Sequence, residues 1–233
     1  MNKIGIIGAM EVEVETLISQ MADIKKTEKA RMTFHEGSLA GQDVVVVRSG
    51  IGKVNAAVCT QILVDDFHVT HVINSGAAGS LDAAIDIGDF VISTDVVHHD
   101  VDGTGFGYNP GEVPQMGITF FPADEGMISR AEDACKKAAP DVNTFRGRIC
   151  SGDQFISDDA RKERIISTFH GLCCEMEGAA IAHTCYLNHI PFVIIRAISD
   201  KADGSSEVDY PTFEKKAAHD AAAIVVAFLS NAE

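Results

Sequence analysis

Two stretches of this chain, DVVVVRS (Asp43–Ser49) and PFVIIRAIS (Pro191–Ser199), are apolar almost without alternation. A strand with one face in water alternates apolar and polar residues, so both read as strands covered on two faces. Covering both faces of a sheet takes helices, and the sequence supplies them. Further β-branched runs occur at Lys3–Gly8, His71–Ser75, Asp89–Val97 and Arg146–Ser151. Segments with helical spacing lie at Glu11–Met21, Val54–Asp65, Glu125–Ala138, Asp158–Phe169, Gly178–Leu187 and Phe213–Leu229. Strands alternating with helices predict an α/β layered domain with a largely parallel sheet. The 233 residues show no repeat, low-complexity tract or composition shift, so one domain over 1–233 is expected.

Several function classes fall away on composition. Hydrophobic residues make up 46% of the chain, enough for a sizeable core. The formal net charge is −15 and no Lys/Arg cluster interrupts it, which argues against nucleic acid as a partner. No apolar run reaches the roughly 18–20 residues of a membrane span, and no basic-then-apolar leader precedes the first strand. A soluble, cytoplasmic protein without a membrane partner is therefore expected. Cys59, Cys135, Cys150, Cys173, Cys174 and Cys185 contain no C-x-x-C pair and sit mostly in apolar stretches, as reduced, buried thiols do. One segment, His98–Gly117, is rich in Gly and Pro and lacks helical period. A loop this long is usually functional, and its Phe106, Tyr108, Val113 and Met116 suggest that it packs on something, such as a second subunit.

In an open parallel sheet, ligands bind beyond the carboxyl ends of the strands. Those ends read GAMEVE, SGIGKVNAA, NSGAAGS, SGDQFISD and SDKADG. Small residues there let backbone approach a ligand closely. Gly50-Ile51-Gly52 begins a dinucleotide fingerprint, but Asn55 stands where the third glycine belongs, and Val54 excludes a P-loop. A tight turn beside a ligand fits better. His98, Asp100 and Asp102 share a face of an extended chain, yet no distant ligand completes a metal set, and structural hydrogen bonding is the preferred reading.

The carboxylates say more. Asp200 ends an apolar run, where an acid is partly desolvated; its bland alternative is a turn or cap aspartate. Glu175 and Glu177 flank Met176 and point to one side if the chain is extended there; the bland alternative is a helix-start acid. On a helical wheel Val14, Leu17, Ile18 and Met21 form one face, with Glu11 and Glu13 on its borders and Glu15 farther into solvent. Periodicity sets Glu15 aside and does not separate Glu11 from Glu13. Three acidic sites at three strand ends, without a cofactor motif, suggest acid–base work on a small polar ligand, of which bond cleavage at a sugar carbon is one example.

Taken in order, GIIGAMEVEVE, SGIGKVNAA, INSGAAGSLD, HDVDGTGFGY, CSGDQFI, CEMEGAAIAH and VIIRAISDKAD resemble the bacterial 5′-methylthioadenosine/S-adenosylhomocysteine nucleosidases, from Lys3 to about Leu229. The resemblance implies a three-layer α/β/α sandwich with a mixed, largely parallel sheet of the nucleoside phosphorylase type. It implies a homodimer without cofactor or metal, and hydrolysis of an N-glycosidic bond that releases adenine, with 5′-deoxyadenosine as a further substrate. It also implies a place in methionine salvage and quorum sensing. Carried over residue by residue, it makes Asp200 the acid toward N7, Glu13 the base that activates water, and Glu177 the ligand of the ribose hydroxyls. Phe155 would stack on adenine and the Ile156 backbone bond to it. Met176 would pack on the ribose, and Met10 would lie near the water. Arg196 would support the carboxylates, and Ser199 would hold Asp200. Ile51 and Tyr210 would border the 5′-substituent, closed by Phe106 and Pro114 of a second subunit.

The sequence departs from the family pattern at Val12, Ala77 (often Ser), Gly103, Gly178 (usually Ala) and Tyr210. These bear on the 5′-specificity more than on the reaction. The alternatives are a futalosine-type nucleosidase, a phosphate-dependent purine nucleoside phosphorylase, and a non-catalytic nucleoside-binding module.

Overall fold

Val44, Val45, Val46 and Val47 are all fully buried, but in two different cores. Val45 and Val47 join Ile7, Val72 and Ile194 on one face; Val44 and Val46 join Ile6, Ile73, Val193 and Ile195 on the other. The period-2 geometry of a strand thus splits an uninterrupted valine run between two helical layers. The computed structural model describes residues 3–203 and 205–230. Its elements run β1 (Lys3–Gly8), α1 (Glu11–Ser19), β2 (Ala22–Lys29), β3 (Met32–Leu39), β4 (Gln42–Arg48), α2 (Lys53–Phe67), β5 (His71–Ser80), β6 (Phe90–His98), β7 (Phe120–Pro122), α3 (Glu125–Ala138), β8 (Thr144–Ser151), α4 (Asp159–Phe169), β9 (Cys173–Glu175), α5 (Gly178–Asn188), β10 (Phe192–Asp200) and α6 (Ser206–Ser230). Helices α2 and α5 supply Cys59, Leu63, Ile181 and Cys185 to the first core. Helices α1, α3 and α6 supply Leu17, Ile128, Ile224 and Phe228 to the second. The result is a three-layer α/β/α arrangement.

The sheet is more mixed than expected from the strand–helix alternation. Of its ten ladders, five are parallel (β1–β4, β1–β5, β5–β10, β6–β8, β8–β9) and five antiparallel (β2–β3, β3–β4, β5–β9, β6–β7, β6–β10). Much of the difference is the hairpin β2–β3, which lacks the usual sequence signals. Its turn residues, Ala30 and Arg31, both have positive φ (51° and 62°) without being Gly or Asn. β2 itself is almost wholly exposed and reads as polar.

Two other differences bear on function. The segment NSGAAGS is not a loop after a strand: β5 continues through it to Ser80, paired with β10 along its length. On its other edge β1 pairs as far as Asn74, and β9 takes over only at Gly79. Helix α6 begins at Ser206, seven residues before the expected start, with Pro211 inside it. That extension carries Tyr210 to the sheet's carboxyl end, where its hydroxyl lies 3.2 Å from Met10 Sδ. No helix among the described residues is long and apolar enough to cross a membrane.

Phe228 is fully buried among the α6 contacts, with the Arg130 guanidinium 4.4 Å from its ring centre. Phe228→Ala should lower stability by about 3–5 kcal/mol. Urea unfolding that shows a loss under about 1 kcal/mol would refute this packing.

Candidate active site

Helix α1 starts three residues beyond β1, so its first turn sits over the strand ends. Glu11 points outward, its side chain 63% exposed, and Glu15 is exposed as well. Glu13 is 4% exposed. Its Oε2 accepts from the Ala9 N–H (2.6 Å) and the Met10 N–H (3.0 Å), the return bond of a capping box. Its Oε1 crosses to β5 and accepts from the Ala77 N–H (3.2 Å), in the stretch of edge between the β1 and β9 pairings. Only a residue without a side chain fits beneath it. A Cβ on Gly76 would stand 2.5 Å from both Glu13 Oε1 and Arg196 Nη1. Burial raises the Glu13 pKa, against the opposing pull of the Arg196 charge and the three N–H donors.

Arg196, from the middle of β10, is 1% exposed. Its Nη2 donates to Asn74 Oδ1 (2.5 Å) and to Glu175 Oε2, and Glu177 Oε2 lies 3.7 Å away. Glu175, on β9, also accepts from the Ser151 hydroxyl and from the N–H groups of Glu177 (3.1 Å) and Gly178 (2.7 Å). Ser151 Oγ accepts from the Ala179 N–H at 2.7 Å. Glu175 and Ser151 therefore satisfy the start of α5, the task that its sequence position would give to Glu177. A Cβ on Gly178 would meet Glu175 Oε1 at 3.0 Å, so the small residue there leaves this carboxylate room.

Relieved of capping, Glu177 turns away from its own helix. Its Oε1 accepts from the Gly52 N–H at 2.8 Å, 125 residues earlier in the chain. Gly52 has φ +95°, a conformation that L side chains rarely adopt, and this aims its N–H into the site. Burial first, and the neighbouring Glu175 second, push the Glu177 carboxyl up to about 7, against the pull of Arg196 and Gly52. Asp200, at the end of β10, is 2% exposed. Its Oδ1 accepts from the Ala202 N–H (2.8 Å) and its Oδ2 from the Ser199 hydroxyl (3.0 Å).

These groups converge on one cleft of ≈ 370 Å³. Glu13, Glu177 and Asp200 line it, with Met10, Ile51, Ala77, Phe155, Met176, Arg196, Ser199 and Tyr210. The Phe155 and Tyr210 rings meet edge to face at its mouth, 5.8 Å apart. Ile156 lies in a small adjoining hollow that Phe155, Met176 and Asp200 also border. Phe106 and Pro114 do not line the cleft of their own chain; Phe106 is 89% exposed. Sequence reasoning gave no role to Asn74, Ser151 or Gly52, and left Glu175 without one. Each acts on another side chain across the fold, which spacing does not record.

The remaining candidates are structural. Asp100 accepts from Lys53 Nζ (2.5 Å) and from the Asp153 N–H (2.9 Å), and Asp102 accepts from the Thr104 hydroxyl and N–H. Buried His98 packs edge-on against Phe121 and His183, and burial holds its pKa down to about 4. Gly103 lies inside the loop, against Tyr108 and Pro114. All six cysteines are free and buried, and burial pushes the Cys174 thiol, at the cleft wall, far above the range of a nucleophile.

A profile of the phosphorylase superfamily matches residues 3–230. The 5′-methylthioadenosine/S-adenosylhomocysteine nucleosidase of Shewanella frigidimarina is 46% identical over 228 residues, 97% of this chain and 98% of that one. The nucleosidase of the same name from Neisseria meningitidis, solved with methylthio-immucillin-A, is 40% identical with a TM-score of 0.96, covering all of both chains. A futalosine hydrolase mutant of Helicobacter pylori is 30% identical with a TM-score of 0.94, again over the full length of both.

Two expectations follow from the geometry. Gly76→Ala should drive Glu13 and Arg196 apart and lower activity at least about tenfold, given a contact no real Cβ tolerates; an unchanged kcat would refute the stated proximity. Between about 4.5, its ordinary value, and about 7, Glu177 keeps a proton in the folded chain that the unfolded chain gives up. Stability therefore falls as pH rises through that window. Glu177→Gln removes this loss, so its Tm should exceed that of the parent at pH 8 and the gap should close toward pH 4.5. A Tm difference that does not vary with pH would refute the assignment.

Proposed function

The chain belongs to the phosphorylase superfamily and, within it, to the 5′-methylthioadenosine/S-adenosylhomocysteine nucleosidases, which are N-ribosyl hydrolases, and on that premise we propose how its cleft acts. The reading rests on one observation: three carboxyl side chains from three separate strand ends, all at least 95% buried, meet in one cleft. Asp200 carries a proton to N7 of adenine, since adenine leaves poorly as an anion. Glu13 takes a proton from water as the water attacks the anomeric carbon. Glu177 accepts from the ribose 2′- and 3′-hydroxyls. Positive charge grows on the ribose as the glycosidic bond breaks, and the surrounding carboxylates stabilise it. The bond from the anomeric carbon to nitrogen is replaced by one to the water oxygen, giving adenine and the 5-substituted ribose. Phe155 offers a face for the base, the Ile156 backbone a hydrogen bond, and Met176 a surface for the sugar. Methylthioadenosine and S-adenosylhomocysteine are the proposed substrates, with 5′-deoxyadenosine as a third, and methionine salvage and quorum sensing the proposed settings.

Phosphorolysis is disfavoured. The cation lining the cleft is Arg196, which Asn74 and Glu175 already engage, so an incoming phosphate would face carboxylates. A futalosine-type activity is the second reading, motivated by the Helicobacter pylori relative, and kcat/KM on both nucleosides separates the two. A homodimer completes the proposal. Exposed Val54, Val58 and Leu187 on α2 and α5 offer an apolar face for it, and Phe106 and Pro114 of a second copy would close the 5′-side.

Incubated with methylthioadenosine in the absence of phosphate, the protein should release free adenine; a strict phosphate requirement would falsify the hydrolase reading. Asp200→Asn and Glu13→Gln should each lower kcat by about 10²–10⁴. Should Glu11→Gln prove as damaging as Glu13→Gln, the choice of base is wrong.

A further inference from the structure

Next to the catalytic cleft lies a second and more open one of ≈ 590 Å³. The two share Ala9, Met10 and Ile51, and the second adds Glu11, Arg31 and Arg48. A nucleoside seated over Glu13, with a substituent running past Met10 and Ile51, would extend that substituent into the second cleft.

The walls there carry both signs of charge. Arg48 Nη1 lies 3.5 Å from Glu11 Oε2, and Arg31 stands on the β2–β3 turn. A methyl group gains nothing from such walls. A bare anion meets the arginines but also Glu11. A group that bears a carboxylate and an ammonium on one carbon satisfies both signs. Arg31 also stands in backbone that its side chain disfavours, at φ 62° directly after Ala30 at φ 51°. The hairpin between β2 and β3 requires this backbone, and it fixes Arg31 at the edge of the cleft.

We infer that this second cleft is the subsite for the zwitterionic amino-acid end of a 5′-thioadenosine substrate. Arg31 and Arg48 receive its carboxylate, and Glu11 receives its ammonium. The inference rests on the nucleosidase reading of the adjoining cleft and deepens it: the subsite selects S-adenosylhomocysteine over methylthioadenosine. Arg48 and Glu11 are 53% and 63% exposed, so water screens them and the selection is modest.

The test compares kcat/KM for the two substrates in the parent, in Arg48→Gln, and in the double variant Arg31→Asn/Arg48→Gln, Asn being a residue that tolerates positive φ. The double variant should lower the S-adenosylhomocysteine to methylthioadenosine ratio about five- to tenfold, mostly through KM. Added salt should lower the ratio in the parent and leave it level in the double variant. A third substrate, the deaminated analogue that keeps the carboxylate and lacks the ammonium, isolates Glu11: Glu11→Gln should narrow the parent's preference for S-adenosylhomocysteine over this analogue. A ratio within about twofold of the parent's in the folded double variant overturns the subsite while leaving the nucleosidase reading intact. If the parent releases no adenine from methylthioadenosine, that reading fails and the subsite falls with it.

Discussion

Arg196 is the residue on which the rest of the site depends. An isolated carboxylate taken out of water costs several kcal/mol, and here Glu13, Glu175 and Glu177 are each less than 9% exposed. One guanidinium faces all three. Burial alone would lower its pKa, but the carboxylates of Glu175, Glu177 and Glu13 outweigh that and raise it. Three acids against one base still leave an excess of negative charge. At Glu177 burial, with the neighbouring Glu175 charge added, raises the carboxyl, and at Glu13 burial does so against the pull of Arg196. A chain selected for stability alone would not keep this imbalance. A site that must meet a cationic sugar has a use for it, because the ligand supplies the missing charge at the moment of bond breaking.

The sheet makes this possible by leaving part of one strand unpaired. On the edge of β5 facing β1, strand pairing stops at Asn74 and resumes at Gly79. In that interval the Ala77 N–H donates to a carboxylate instead of to a strand. Small side chains from Ser75 to Gly79 keep the interval thin enough for Glu13 and Arg196 to close over it. Ala77 contributes its backbone donor and a side chain no larger than a methyl group. The Glu13 carboxylate is thus held in place in part by main chain, whatever side chain that position of β5 carries.

Much of this was legible from the sequence, for identifiable reasons. Strands buried on both faces announce themselves as unbroken apolar runs, and ligands gather at their carboxyl ends, so Glu11 or Glu13, Glu175 or Glu177, and Asp200 stood out as strand-end acids, and only the family resemblance chose within the first two pairs. The parts that were not legible rely on signals a single chain does not carry. The Ala30–Arg31 turn lacks the Asn-Gly signature of its geometry. The NSGAAGS segment has loop composition because side chains from elsewhere need its space, not because it is a loop. Pro211 suggests a later helix start than Ser206, which hides Tyr210 in an apparent linker. Glu175 looked interchangeable with Glu177 because the two flank Met176. Their difference lies in partners that are distant in sequence, Ser151 and Arg196 for one and Gly52 for the other.

The same distinction resolves the acids at the start of α1. A glutamate at the third position of a helix has an ordinary use, which is to bond back to the helix entrance, and Glu13 does this with Oε2. The bond fixes the carboxylate's orientation without using its second oxygen. Oε1 is thereby held toward β5 and the cleft, its direction set by the cap and not by a ligand. Glu11, two residues earlier, has no comparable anchor: it lies on the solvent side, 3.5 Å from Arg48, at the edge of the second cleft. In the folded chain the cap bond supplies the rigidity that the proposed role of Glu13 as a base would require. Val12 lies between the two acids, so the helix start keeps a single buried carboxylate in its first turn and avoids setting another beside it.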